Sequence, residues 1–211
     1  LRDRIDTTGL RNDRHSNHWT AGIHGQHRDA LGGGGVTTAS LDIGHGRLDF
    51  DHEAAAAADA VTARTQGSYT HWNASLSRLQ VVGNHTSMFM GISGQHSNRN
   101  LDSSEQFLLG GPGSVRGYDV ASLAGSSGWL GTLELRRSLD WDCAGRCEAS
   151  VFVDSGGLRV NADPWAEGRN HARMSGAGIG FNWIGDHRWQ AQIQLAAPVD
   201  STPELLGERQ S

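Results

Sequence analysis

"GAGIGFNWIGDHRWQAQIQL", residues 176–195, alternates on both sides of a turn. Ala177, Ile179, Phe181 and Trp183 share one face, against Gly176, Gly178, Gly180 and Asn182 on the other. After Gly185-Asp186, Trp189, Ala191, Ile193 and Leu195 oppose Gln190, Gln192 and Gln194. A period of two belongs to strands whose successive side chains leave opposite sides of a sheet. The Gly-Asp punctuation between the two runs reads as a hairpin turn. A face of three glutamines suits a wet lumen better than a packed core, though an exposed sheet face would carry it too.

The same alternation runs back through the chain and predicts six further strands. They are placed near 18–28, 36–44, 68–82, 85–95, 129–139 and 148–155, with the last two at 173–183 and 189–195. Short turns and long polar inserts alternate between them, the inserts covering 46–67, 97–128 and 156–170. The Ala-rich centre of the first insert has a local helical character. Tight turns at one end and long loops at the other are the asymmetry of a transmembrane antiparallel β-barrel, and segments of about nine to twelve residues match a tilted crossing strand. Aromatics sit near strand ends as two girdles would require. Trp19, Tyr69, Trp72 and Trp129 lie beside long loops, and Trp141, Trp183 and Trp189 beside short turns. The expected fold is all-β, with 1–211 as part of one barrel domain and the inserts as extracellular or lumenal loops. A soluble antiparallel sandwich shares the alternation and is the competing architecture.

Bulk composition agrees with the barrel. The 211 residues are only 36% hydrophobic, with 29 glycines, and a wet lumen dilutes apolar residues because only one strand face meets lipid. No run approaches the roughly 18 apolar residues of a membrane-crossing helix. A net charge of −5 and the lack of any basic stripe argue against nucleic-acid binding. The chain opens on Leu1 with no leader in view and is read as a fragment. Cys143 and Cys147 flank a tight loop, so they form either a disulfide across a hairpin turn or two free thiols.

No catalytic, cofactor or metal site emerges. His27-Arg28-Asp29 lacks the downstream Asn of a kinase catalytic loop, and the glycine runs miss the dinucleotide spacing. His24 and His27 leave opposite faces of a strand and cannot share a metal. Arg116 stands apart, inside "GGPGSVRGYDV" (residues 110–120). Asp154 is the acid of the Ser150, Phe152 and Asp154 face, at about mid-barrel height. From Arg116 to the next strand the insert has twelve residues, a reach of about 40 Å against an apolar band of about 25 Å. The loop can therefore fold inward, and a guanidinium fork suits a carboxylate where lysine would not. The glycines at 110, 111, 113 and 117 would allow the turns and close approach this needs. A solvated arginine on an external loop is the plain alternative.

"LGGPGSVRGYDV" (109–120) resembles the conserved-loop motif of the outer-membrane transporters of two-partner secretion. These are the TpsB or hemolysin-activator family (ShlB/FhaC/HecB), within the superfamily that includes BamA. "VFVDSGG" (151–157) is similar to the family's Phe-x-Asp-x-Gly strand motif, with Phe152, Asp154 and Gly156 in place. "SLDIGHGRLDF" and "SSEQFLLGG" read as family sequence as well, and the likeness covers nearly the whole chain. The resemblance implies a loop tucked into the barrel with Arg116 meeting Asp154, while Val115, Gly117 and Tyr118 shape its tip. It also implies a monomeric barrel of sixteen strands in the outer-membrane lipid of a Gram-negative bacterium, of which these eight would be strands eight to fifteen. Two POTRA domains would precede the barrel, outside this chain, and the final strand would lie beyond Glu208-Arg209-Gln210-Ser211. The activity implied is export of a secreted TpsA-type exoprotein, unfolded and without ATP. It is not an enzyme activity and uses no cofactor. The alternatives are a BamA/TamA-like assembly factor and a soluble β-domain that binds carbohydrate or hydrolyses a substrate.

Overall fold

The computed structural model of the chain describes residues 13–185 and 189–200, together with Leu205 and the backbone of residues 2–3, 6–7 and 10–11. Three two-residue pieces come first: β1 (Arg2–Asp3), β2 (Asp6–Thr7) and β3 (Leu10–Arg11). Eight long strands follow. They are β4 (Arg14–Asp29), β5 (Gly35–Phe50), β6 (Gly67–Gly83), β7 (Thr86–Ser97), β10 (Ser127–Leu139), β11 (Gly145–Arg159), β12 (His171–Gly185) and β13 (Gln190–Pro198). Two short strands, β8 (Phe107–Leu109) and β9 (Leu123–Gly125), pair with each other inside the second insert. The long strands form one antiparallel sheet in sequence order, with β1 beyond β4 at one edge and β13 at the other. Every long neighbour pair is a hairpin connection, the up-and-down topology of a barrel wall.

All eight expected strands are present, and most run further than alternation alone suggested. β5 continues to Phe50 because residues 47–50 pair with 14–17, and its ladder outlasts the apolar pattern. β11 continues to Arg159 because residues 156–159 pair with 171–174 on one side and 127–130 on the other. The first and third inserts therefore shrink from 46–67 and 156–170 to 51–66 and 160–170, and Gly156 belongs to a strand. The Ala-rich centre of the first insert is helix α1 (Glu53–Val61). Asp59 closes its end by accepting the backbone N–H groups of Thr65 and Gln66. Of the Gly185-Asp186 turn, Asp186 lies outside the described residues, as does the stretch 208–211.

The two faces differ as barrel walls do. One face carries rows of exposed apolar side chains that continue from strand to strand. Leu135, Val151, Ile179 and Leu195 form one such cross-strand row, and Leu133 and Val153 belong to the next. In water this would be a large sticky patch; in lipid it is the matching surface. Trp19, Trp72 and Trp129 lie on this face, exposed and toward the long-insert end. Tyr69 does not join them. It is three residues from Trp72, so it takes the opposite face, where it is buried and stacks on His71. Trp141 and Trp189 are exposed beside short turns, while Trp183 is half-buried and donates its indole N–H to the Cys143 carbonyl. Cys143 and Cys147 are joined in a disulfide across that same turn.

Candidate functional site

The second insert, 98–126, lies against the inner face of the sheet. Its descent is fixed by an apolar cluster rather than by charge. Leu109, Val115 and Leu123 from the insert pack with Leu158 of β11 and with Ala172 and Met174 of β12. Leu109, Val115 and Met174 are completely buried. Burying each such side chain contributes about 1.5–3 kcal/mol.

Arg116 sits at the inner end of this segment. Its Nε donates to Asp154 Oδ2 at 2.7 Å and its Nη2 to Asp154 Oδ1 at 2.9 Å, a two-pronged grip. The Arg116 backbone N–H adds a third bond to Oδ2 at 3.2 Å. Its Nη1 donates to Glu134 Oε2 at 2.8 Å, and Glu134 Oε1 accepts from Arg136 Nε at 2.9 Å. The guanidinium carbon lies 3.3 Å from the centre of the Phe152 ring, so the cation rests flat on the aromatic face. Asp154 is wholly buried, and two arginines balance two carboxylates in one cluster. A lysine could satisfy one of these partners but not the fork, the second acid and the ring together.

Glycines set the approach. Gly117 has φ +97, and a Cβ there would lie 2.8 Å from the Ala197 carbonyl carbon. At Gly176 a Cβ would collide with the Arg116 carbonyl oxygen. The loop tip thus lies directly on the backbones of β12 and β13, and the Tyr118 hydroxyl donates to the Ser175 carbonyl at 3.2 Å. Gly110 and Gly111 also take positive φ, but Gly113 does not and has open space around it. It sits inside the tight turn that the Ser114 N–H closes on the Gly111 carbonyl at 3.0 Å.

Of the expected residues, Arg116 is brought onto Phe152 and Asp154, while Val115 lies in the apolar cluster, Gly117 on Ala197, Tyr118 on Ser175, and Gly156 faces Leu109. Cys143 and Cys147 lie apart, at the turn between β10 and β11. Glu134 was not foreseen. Register brings it in, because Glu134 pairs with Phe152 and Thr132 with Asp154. Its signal in the sequence is an acid and an arginine, 134 and 136, on the polar face of the strand preceding "VFVDSGG". A second anchor was also unforeseen. Nearer the long-insert end, Glu105 of the insert meets His71 of β6 at 3.3 Å and His18 of β4 at 3.9 Å, and Asp102 pairs with Arg14 at 2.6 Å.

An up-and-down barrel wall with a loop pinned to its inner face by an arginine and a strand carboxylate defines a class, the loop-occupied antiparallel β-barrel. The family model of the haemolysin secretion/activation protein ShlB/FhaC/HecB matches residues 2–183. The chain belongs to that family, the TpsB transporters of two-partner secretion. It is 26% identical over 204 residues to the heme/hemopexin transporter protein HuxB of Haemophilus influenzae strain ATCC 51907, covering 95% of this chain and 36% of that relative. HuxB of strain 86-028NP is 25% identical over 148 residues, 69% of this chain and 26% of the relative. The fold matches CdiB from Escherichia coli with a TM-score of 0.57 at 17% identity, over 94% of this chain and 45% of CdiB. The chain therefore spans about a third of the length of the curated relatives it matches.

Proposed function

We propose that the chain forms the wall and inward loop of an outer-membrane translocator that exports a large β-helical exoprotein through its barrel. The pinning of Arg116 to Asp154 and Glu134 carries this reading. The loop occupies the inner face where a passenger would pass, and beyond its apolar seat its tip is locked by charges. Desolvating two ion pairs costs nearly what their attraction returns, so such a lock gives position without much net stability. Water entering with a passenger can rehydrate the four charges and let the loop shift. In the whole protein, periplasmic POTRA domains would deliver the passenger unfolded, and no nucleotide is required. The barrel would act as a monomer in the outer membrane of a Gram-negative cell. Its relatives are transporters, and catalysis is no part of this reading.

The test is Arg116→Ala in the whole protein. Removing one partner of a buried pair strands Asp154 and Glu134, at a cost of about 3–5 kcal/mol to the docked loop. Export is expected to be lost while insertion persists, read as secreted partner in the medium and heat-modifiable mobility of the barrel. Normal export by the variant would sink the proposal.

A further inference from the structure

The strand pair whose inner side holds the loop presents a different surface to the outside. On the outer face the last two cross-strand rows before the 160–170 insert are Trp129, Gly157 and Arg173, then Ser127, Arg159 and His171. Together they line an open groove of about 400 Å³ with no acidic residue in its walls. Gly157 is the floor. A Cβ there would lie 2.9 Å from Trp129 Nε1 and 3.3 Å from Arg173 Cγ, so the indole N–H and an arginine stem flank bare backbone.

Arg159, His171 and Arg173 make no ion pair or side-chain hydrogen bond among the described residues. Arg78 is the instructive contrast. It lies on the same outer face at the short-turn end, where Asp29 holds it from two nitrogens and Thr37 and Gln80 complete its contacts. One end of the wall, the short-turn end, neutralises Arg78 internally and leaves a single arginine among the described residues, Arg137, exposed on this face. The other leaves two arginines open, beside a tryptophan at girdle height and immediately above the apolar rows.

We propose that this groove binds the phosphate headgroup of an anionic lipid in the membrane leaflet on the long-insert side. Two guanidiniums match phosphate oxygens bidentately, the indole N–H supplies a further donor, and the acyl chains lie down the apolar rows of Val153 and Val151. The inference rests on the outer-membrane reading above. In that membrane the lipid class that fits is a phosphorylated acylated glucosamine disaccharide.

The whole protein in zwitterionic detergent is titrated with bis-phosphorylated lipid A, with the same lipid stripped of phosphate, and with inorganic phosphate, binding being read by native mass spectrometry. The phosphorylated lipid is expected to bind, and R159Q/R173Q to weaken it roughly 10- to 30-fold. If that variant fails to insert, R159K/R173K replaces it, with a loss of roughly three- to tenfold because lysine keeps charge but not the fork. Equal binding by the variant that inserts overturns the proposal. So does equal binding of the phosphate-free lipid, or displacement by inorganic phosphate at lipid-like concentration. Export by Arg116→Ala bears on the transport reading alone and leaves these titrations untouched.

Discussion

The inner face of the sheet is two surfaces. Across β11 and β12, toward the long inserts, it carries Leu158, Ala172 and Met174, all buried under the loop. Across β5 and β6 it carries small polar groups such as Ser40 and Ser75, whose hydroxyls meet at 2.7 Å, with Asp42 and Asn73 in the next row. Both regions obey the same alternation, and both turn apolar side chains outward. The difference shows that a lumenal face is polar only where no other part of the chain covers it. Apolar residues on that face mark where another part of the chain lies down.

Met174→Ala would break this contrast most severely. Its side chain is fully buried between wall and loop, so truncation is expected to cost about 2–5 kcal/mol and to expose the loop to added protease in the assembled barrel. Glu134→Gln should act less strongly. It keeps the shape and one acceptor but halves the negative charge around Arg116, a charge-assisted bond worth about 1.5–3 kcal/mol. Loosened protection of the loop without loss of insertion is the expected result. Ser75→Ala, on the bare side, should lie within about 0.5 kcal/mol of the wild type in thermal unfolding and leave loop protection unchanged. A large effect there would mean that both halves of the inner face are packed and would remove the distinction.

Most of the architecture was legible because alternation is a local signal. Val151, Val153, Ile179 and Ile193 announce an outward face whatever they pair with. The strand ends were less legible, since residues 47–50 and 156–159 are held by ladder bonds to distant partners, and polar composition conceals a strand that continues above the lipid. Within the site, reach and chemistry pointed from Arg116 toward Asp154. Glu134 escaped because its place beside them depends on the register of β10 against β11, which no single strand encodes. The inward turn of Tyr69 was available from its odd spacing to Trp72. The outward cations were hidden differently, since Arg159 and Arg173 lie on successive strands with the 160–170 insert between them and become neighbours only through the pairing of β11 with β12.

Asn100 is buried where the long inserts meet. Its side-chain amide donates to the Ala63 carbonyl at 2.6 Å and the Asp163 carbonyl at 2.8 Å, and its oxygen accepts the Asp163 N–H at 2.8 Å. One buried asparagine therefore ties together all three long inserts. The loops on that rim form a single mechanical linkage, so withdrawing the strap that bears Arg116 must either lift its two neighbours or snap this joint. A push on one segment would be felt by all three, and the force needed to withdraw the strap would be set partly at Asn100 and not at the Arg116 cluster alone.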